Sequence, residues 1–154
     1  MTLTIRGAAH FLSRARGVAN PTNYKLVLIT SAVAPTRTTQ TFSGLTEIAA
    51  GNGYSSGGIT LNLDTTDFDQ LVEDVTTNYR AELHLKDIDV AASGGAIPAS
   101  GSGIATMVLT DDNATLANRQ VFAFWTATNA PITIASGQTY RWPDPTIVIA
   151  CAAN

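Results

Sequence analysis

The stretch that decides the fold is Asn52-Gly53-Tyr54-Ser55-Ser56-Gly57-Gly58-Ile59-Thr60-Leu61-Asn62-Leu63. Glycine and asparagine adopt positive φ angles at little cost, so the first part of this stretch predicts a turn. In the second part apolar and polar side chains alternate, which places the apolar ones on one face of a half-buried β-strand. Turn clusters followed by such strands recur along the chain, so the sequence predicts a mainly β fold.

The segment upstream of this stretch predicts the central strand of a sheet. Residues 24–31 read Tyr-Lys-Leu-Val-Leu-Ile-Thr-Ser between Pro21 and Pro35, and their nearly continuous apolar centre is typical of a strand buried on both faces. Residues 79–86 alternate apolar with charged or polar side chains and predict an amphipathic strand. Further extended segments are predicted at residues 44–48, 59–63, 104–109, 121–126, 132–134, 139–142 and 146–150.

Residues 64–79 fit two patterns. Phe68, Leu71, Val72 and Val75 recur at helical spacing, whereas Leu71, Val75, Thr77 and Tyr79 fit a strand. We predict a short helical turn over residues 67–73. Residues 93–103, which are rich in glycine and serine, predict a flexible excursion between strands.

The N-terminal segment carries the best helical pattern. Apolar side chains recur at intervals of three and four residues from Ile5 to Ala15, which predicts a helix over residues 3–16, and Gly17 is a natural C-cap. A helix this short must dock on the sheet or on a neighbouring subunit. The chain therefore divides into an N-terminal helix or arm, residues 1–20, and a single-domain antiparallel β-sandwich or flattened barrel, residues 21–154.

The composition favours assembly with other proteins. Only 14% of the 154 residues are charged, against roughly 25% in typical soluble domains. A surface of Thr, Ser, Asn, Gly and Ala loses little solvation when covered, so it suits a homo-oligomer or another permanent assembly. The net charge of −3 gives no global basic field for nucleic acid or an anionic membrane. No apolar run reaches the about 18 residues of a membrane span, and no signal-peptide pattern is present, so we expect synthesis in a cytoplasm and no membrane partner.

The residues that could carry chemistry do not match a catalytic or metal-binding motif. His10 and His84 are far apart in the sequence, and neither stands beside a plausible nucleophile for a Ser-His-Asp triad. Cys151 is the single cysteine, which excludes a disulfide within the chain and leaves too few ligands for a zinc site. The acidic run at residues 64–69 lacks the calcium-loop pattern and is predicted to cap turns. We therefore predict a protein that is not an enzyme and holds no cofactor or metal.

The N-terminal arginines are candidate partner contacts. Arg6, Arg14 and Arg16 concentrate positive charge in a chain that is acidic overall. Three alternatives remain: a solvated helix face, a contact with an acidic patch on a partner protein, or a contact with nucleic acid. Of these, the solvated face is favoured first and the protein contact second.

The aromatic residues of the later strands form a second candidate cluster. Alternation along residues 121–126 places Phe122 and Phe124 on one face of the strand and Trp125 on the other. Trp125 and Trp142 are therefore candidate partner contacts as well. Packing in the core or at an interface is favoured, and the alternative is an exposed aromatic platform that binds glycans.

The order of these features resembles that of small virion proteins of tailed bacteriophages. The resemblance covers nearly the whole chain: an N-terminal helix, the strand Tyr24-Lys25-Leu26-Val27-Leu28-Ile29-Thr30, and a Thr-rich connection. It continues through Leu45-Thr46-Glu47-Ile48, Gly51-Asn52-Gly53-Tyr54 and the C-terminal hairpin Ala130-Pro131-Ile132-Thr133-Ile134-Ala135-Ser136-Gly137-Gln138-Thr139-Tyr140. The matching elements are turns and strands, so the resemblance implies a structural role and carries over no catalytic residue.

The resemblance implies a non-enzymatic phage virion structural protein. The function predicted first is a capsid decoration or cement protein, which would stabilise the shell through contacts with the major capsid protein and with its own copies. The alternative is a tail, baseplate or fibre-attachment protein, and a receptor-binding or glycan-binding module is less favoured. The expected location is the virion, after synthesis in the host cytoplasm.

Overall fold

The computed structural model describes residues 2–13, 21–74 and 80–150. Within these residues the α-helix α1 spans Ile5–Ser13, and a short 3-10 helix spans Leu116–Asn118. The strands follow in chain order: β1 Thr2–Leu3, β2 Tyr24–Ile29, β3 Ile59–Leu61, β4 Gln70–Asp74, β5 Arg80–His84, β6 Ile88–Ala91, β7 Thr106–Asp111, β8 Val121–Thr126, β9 Thr139–Trp142 and β10 Thr146–Ala150. Arg14, Arg16, Gly17 and Cys151 lie outside the described residues, as does the predicted C-cap.

The strands form three antiparallel sheets. The largest has the order β1-β8-β7-β2-β3, the second the order β10-β5-β4, and the third pairs β6 with β9. One apolar cluster joins the inner face of the large sheet to side chains of the two smaller sheets, for example Leu26 and Met107 to Leu85, Val90 and Ile147. The fold is therefore mainly β, a single sandwich-like domain with a short N-terminal helix, as predicted.

Strand β2 is covered on both faces, as predicted, and lies inside the large sheet between β7 and β3, although the middle strand of that sheet is β7. Leu26 and Leu28 point into the main core. Val27 and Ile29 belong to a second apolar cluster on the other face of the sheet, where Phe42 of the connection after β2 packs on them. A nearly continuous apolar run is what a strand needs when neither face meets water.

A β-bulge in β8 changes which aromatic side chains share a face. The pairing with β7 shifts between Leu109, opposite Ala123, and Thr110, opposite Val121, so Phe122 is the extra residue. Phe122 therefore joins Ala123 and Trp125 in the main core, whereas Phe124 packs against the second cluster. The prediction that Phe122 and Phe124 share a face is wrong because regular alternation stops at the bulge.

Helix α1 begins two residues later than predicted because the preceding residues form β1. Thr2 and Leu3 pair with β8, and Thr4 caps the helix: its Oγ1 atom accepts the N–H of Gly7 at 2.9 Å. The same hydroxyl donates to the carbonyl oxygen of Val121 at 2.5 Å. The cap therefore also fastens the helix to the edge of the large sheet.

The helical turn predicted at residues 67–73 is wrong. A single turn closes at residues 64–68, where the N–H of Phe68 donates to the carbonyl of Asp64 at 3.0 Å. From Gln70 onward the chain is strand β4, and Leu71 lies opposite Leu83 of β5. The ladder to β5 satisfies the backbone groups on that side of the strand, and tertiary pairing overrides the local helical spacing of this segment.

Four other segments also differ from the sequence prediction. Strand β6, which the sequence did not predict, pairs with β9 and buries Ile88 and Val90. The extended pieces at residues 44–48 and 132–134 form only isolated bridges. The glycine-rich excursion at residues 93–103 is anchored at the buried Ile97, whose N–H donates to the carbonyl of Ile134 at 2.9 Å.

Candidate functional site

The two candidate tryptophans lie in the core. Trp125 and Trp142 are only 7% and 6% exposed, and both belong to the main apolar cluster. Trp142 also meets Tyr140 edge to face, with 4.4 Å between the ring centroids. This burial fits the core-packing interpretation and leaves little indole surface for a sugar or a protein partner.

In the N-terminal segment the structure describes one of the candidate arginines, and it also shows a histidine that packs against the sheet. Arg6 is exposed on α1, whereas Arg14 and Arg16 lie outside the described residues. The ring of His10 stacks on Phe122, with 4.3 Å between centroids, and its Nε2 atom lies 2.6 Å from the hydroxyl oxygen of Tyr24. His10 therefore helps to dock α1 on the sheet.

His84 joins two carboxylates on the outer face of β5. Its Nδ1 atom lies 2.7 Å from Oδ1 of Asp144, and its Nε2 atom lies 3.3 Å from Oε2 of Glu82. The hydrogen bond with Asp144 raises the pKa of His84 above its ordinary value, and Glu82 acts in the same direction. A general base in a triad needs a nucleophile at one ring nitrogen. Because a carboxylate faces each nitrogen, the arrangement is suited to hold an imidazolium bridge.

Arg141 on β9 forms the other half of this charged face. Its guanidinium binds both carboxylate oxygens of Asp89 at 2.6 Å, and its Nη1 atom contacts Asp87 at 3.0 Å. The second oxygen of Asp87 accepts the N–H of Asp144 at 2.9 Å, which links the pair to the His84 group. The hydrogen bond from Arg141 lowers the pKa of Asp89. His84 and Arg141 are thus each paired with two carboxylates on this face.

The acidic run at residues 64–69 caps a turn, as predicted. Asp64 accepts the N–H groups of Thr66 and Asp67 at 2.9 and 3.2 Å. Asp67, at 2% exposure, accepts the N–H of Asn62 at 2.7 Å and forms an ion pair with Lys86. Burial opposes ionisation, but the hydrogen bonds from Lys86 and Asn62 outweigh it and lower the pKa of Asp67. Among residues 2–13, 21–74 and 80–150, no group of His, Cys, Asp or Glu has the arrangement of a metal site.

The turn at residues 52–58 is fastened to the sheet by Tyr54. Its hydroxyl donates to Glu47 at 2.8 Å and accepts the N–H of Leu28 at 3.0 Å. Glu47 also accepts the N–H of Gly57 at 2.7 Å. Burial raises the pKa of Tyr54 far above its ordinary value, so the phenol stays neutral. These residues have a structural role, because they tie the turn to strand β2.

The described surface contains an apolar groove beside β4. A cavity of about 360 Å³ opens between α1 and the turn at residues 63–68, and a second of about 190 Å³ opens between α1 and the sheet β10-β5-β4. Both are lined by Phe11 and Leu83, so they adjoin. We call this surface the β4 groove, and its lining includes Phe11, Leu63, Phe68, Leu71 and Leu83.

The β4 groove is the candidate site that the sequence prediction missed. Leu71 is 69% exposed and Leu63 is 40% exposed, and they are two of the three large hydrophobic residues recorded as exposed in the described part of the chain. The available signal was the strand alternative for residues 71–79, which would have placed Leu71 on a sheet face. Predicting a helical turn there leaves the exposed position of Leu71 unrecognised.

Comparisons with known proteins supply no relative for this chain. No protein-family model matches it, and neither the curated proteins nor the solved structures include a significant match. Within the described residues, no helix is both long and apolar enough to cross a membrane.

Proposed function

We propose that this protein is a non-enzymatic structural protein of a tailed-phage virion and that it acts as a capsid decoration or cement protein. The observation that carries the proposal is the β4 groove, where Leu63 and Leu71 are exposed beside two adjoining apolar cavities. Exposed apolar surface of this kind marks contacts with other proteins. The sequence resemblance described above supplies the virion context.

The charged face supports an assembly role as well. Arg141 is paired with Asp87 and Asp89, and His84 lies between Glu82 and Asp144. The desolvation cost of burying a charged side chain is smallest when an oppositely charged side chain already pairs with it. A protein with few charges, many of them paired internally, can therefore be covered by neighbouring subunits at a modest desolvation cost.

The abundance of the protein in virions tests this proposal. Quantitative mass spectrometry of purified virions should find on the order of hundreds of copies per particle, because a symmetric shell repeats each joint many times. Roughly a dozen copies or fewer would contradict the capsid assignment and favour a tail or baseplate position. Absence from the particle would overturn the virion role.

Add-back to shells tests the cementing activity directly. Particles that lack this protein should release their DNA at a lower temperature than complete particles, and purified protein should restore the higher temperature. Binding of the protein lowers the free energy of the intact shell and not of the open one, which is the physical basis of the shift. No shift at saturating protein would contradict the cement function.

A further inference from the structure

From the β4 groove we infer a docking site for an extended segment of a different virion protein, one that carries both apolar and basic side chains. The segment adds as a strand to the free edge of β4 and places apolar side chains in the groove. This inference rests on the proposed function, because the partner would be a subunit of the same assembly.

The first observation is the free edge of β4. In the sheet order β10-β5-β4 this strand stands last, and the described residues pair it with β5 alone. A strand at the end of a sheet presents a row of unsatisfied N–H and C=O groups to its surroundings. An extended peptide satisfies those groups by main-chain hydrogen bonds whatever its exact sequence.

The second observation is the apolar surface next to that edge. Leu71, Leu83 and Ile147 lie in one row across β4, β5 and β10, so their side chains share one face of the sheet. Ile147 is buried, whereas Leu71 is 69% exposed at the end of the row. Apolar side chains of an added strand would continue this row and cover Leu71.

The third observation is the charge around the groove. The chain has no Lys or Arg between Arg37 and Arg80, and five acidic residues fall within residues 64–74. Asp67 is paired with Lys86, but Asp64, which lines the larger cavity, and Glu73, on the same face as Leu71, form no ion pair among the described residues. This rim attracts lysine or arginine on the incoming segment.

The same charges disfavour a second copy of β4 as the occupant. Two β4 edges side by side would bring the acidic residues of one copy next to those of the other. Like charges across an interface cost free energy, and charged edges are a common protection against edge-to-edge pairing. A basic and apolar segment has the opposite charge and is therefore the occupant that fits.

A designed peptide tests the site in solution. The probe is a short fluorescent peptide that repeats two valines followed by two lysines, which puts both residue types on each face of an extended strand. Binding to the full chain is followed by fluorescence anisotropy. The inference expects saturable binding that weakens with salt, and amide shifts in the NMR spectrum at Gln70–Asp74. No binding would overturn the inference. Equal binding of a valine–glutamate peptide would overturn the charge argument, and equal binding of a fully N-methylated peptide would overturn strand addition.

A matched pair of variants places the binding at the groove. Leu71→Lys puts a positive charge at the edge, and because this side chain is exposed the substitution should not disturb folding. Val33→Lys is the control, since Val33 is 49% exposed in the connection after β2 and lines neither cavity of the β4 groove. We expect Leu71→Lys to weaken peptide binding about tenfold or more, and Val33→Lys to leave it unchanged. Equal affinity of both variants would overturn the assignment.

Two further measurements separate the possible failures. If the protein forms an oligomer by light scattering that dissociates in Leu71→Lys, a second copy occupies the groove and the inference is overturned. If wild type and Leu71→Lys enter virions in equal numbers, the groove inference fails while the proposed function stands. If wild type binds the peptide but is absent from virions, the proposed function fails instead.

Discussion

His84 on β5 and Asp144 in the turn between β9 and β10 are joined by a hydrogen bond of 2.7 Å between Nδ1 and Oδ1. With Glu82 at the other ring nitrogen, this bond favours the charged imidazole and raises the pKa of His84. Sixty residues separate the two partners, so the bond also holds the β9–β10 turn against β5. The charge state of one residue thus affects the junction of two sheets.

We expect Asp144→Asn to cost more stability at about pH 5.5 than at about pH 8.5. A raised pKa in the folded state adds stability below the unfolded pKa of His84, about 6.5, and this contribution disappears as the pH rises through the folded value. Asparagine tolerates the positive φ of 43° at position 144. Urea unfolding at both pH values measures the difference. A penalty independent of pH, or one matched by Asp69→Asn, would contradict the expectation.

We expect Asp67→Ala to lower the free energy of unfolding by about 1–3 kcal/mol at neutral pH. It leaves the N–H of Asn62 and the ammonium of Lys86 without their acceptor. The loss stays below that of a fully buried ion pair because the Lys86 side chain is half exposed.

The exposed Asp69 provides the control for Asp67. Asp69→Ala should change stability by less than about 0.5 kcal/mol. Because the pKa of Asp67 is lowered on folding, its contribution is present above the unfolded pKa of about 3.9 and is lost as the pH falls through the folded value. Equal effects of the two variants at neutral pH would rule out the capping role of Asp67.

We expect Tyr54→Phe to destabilise the protein by about 1–3 kcal/mol, because the N–H of Leu28 in the buried strand β2 loses its acceptor. Glu47 loses a donor at the same time. Tyr140→Phe is the comparison: its hydroxyl accepts the N–H of Thr128 at an exposed site, and water can replace it. Thermal or urea unfolding of both variants measures their losses of stability. A loss for Tyr140→Phe as large as that for Tyr54→Phe would contradict the expectation.

We expect Gly58→Ala to be far more damaging than Gly137→Ala. Both glycines have positive φ, 86° and 80°, but a Cβ at position 58 would lie 2.4 Å from the carbonyl oxygen of Leu26, whereas position 137 has open space. Gly137→Ala should therefore cost only the backbone strain, about 1–2 kcal/mol. Gly58→Ala must also displace strand β2. Similar unfolding midpoints for the two variants would show that the close approach is relieved without cost.

The local sequence pattern was enough to predict several of the strands. The apolar run at residues 24–31 predicted β2, which is covered on both faces, and the bounds of β8 and β10 agree with prediction. In these strands neighbouring residues along the chain already determine which faces are buried.

The prediction from the sequence failed where the structure depends on contacts between residues that are far apart in the chain. Strand β4 depends on Leu83 opposite Leu71, and the bulge at Phe122 depends on the register with β7. The ion pair between Arg141 and Asp89 joins residues 52 positions apart. No local periodicity reports these pairings, and the β4 groove is a product of one of them.

The burial of β2 on both faces also determines how its backbone amides exchange with solvent. This strand lies between β7 and β3 and is covered on both faces, so its interior amides reach solvent only when the whole domain unfolds. Their exchange with deuterium therefore measures the global free energy of unfolding. The amides on the free edge of β4 should exchange through much smaller openings, and a bound partner strand would slow them selectively.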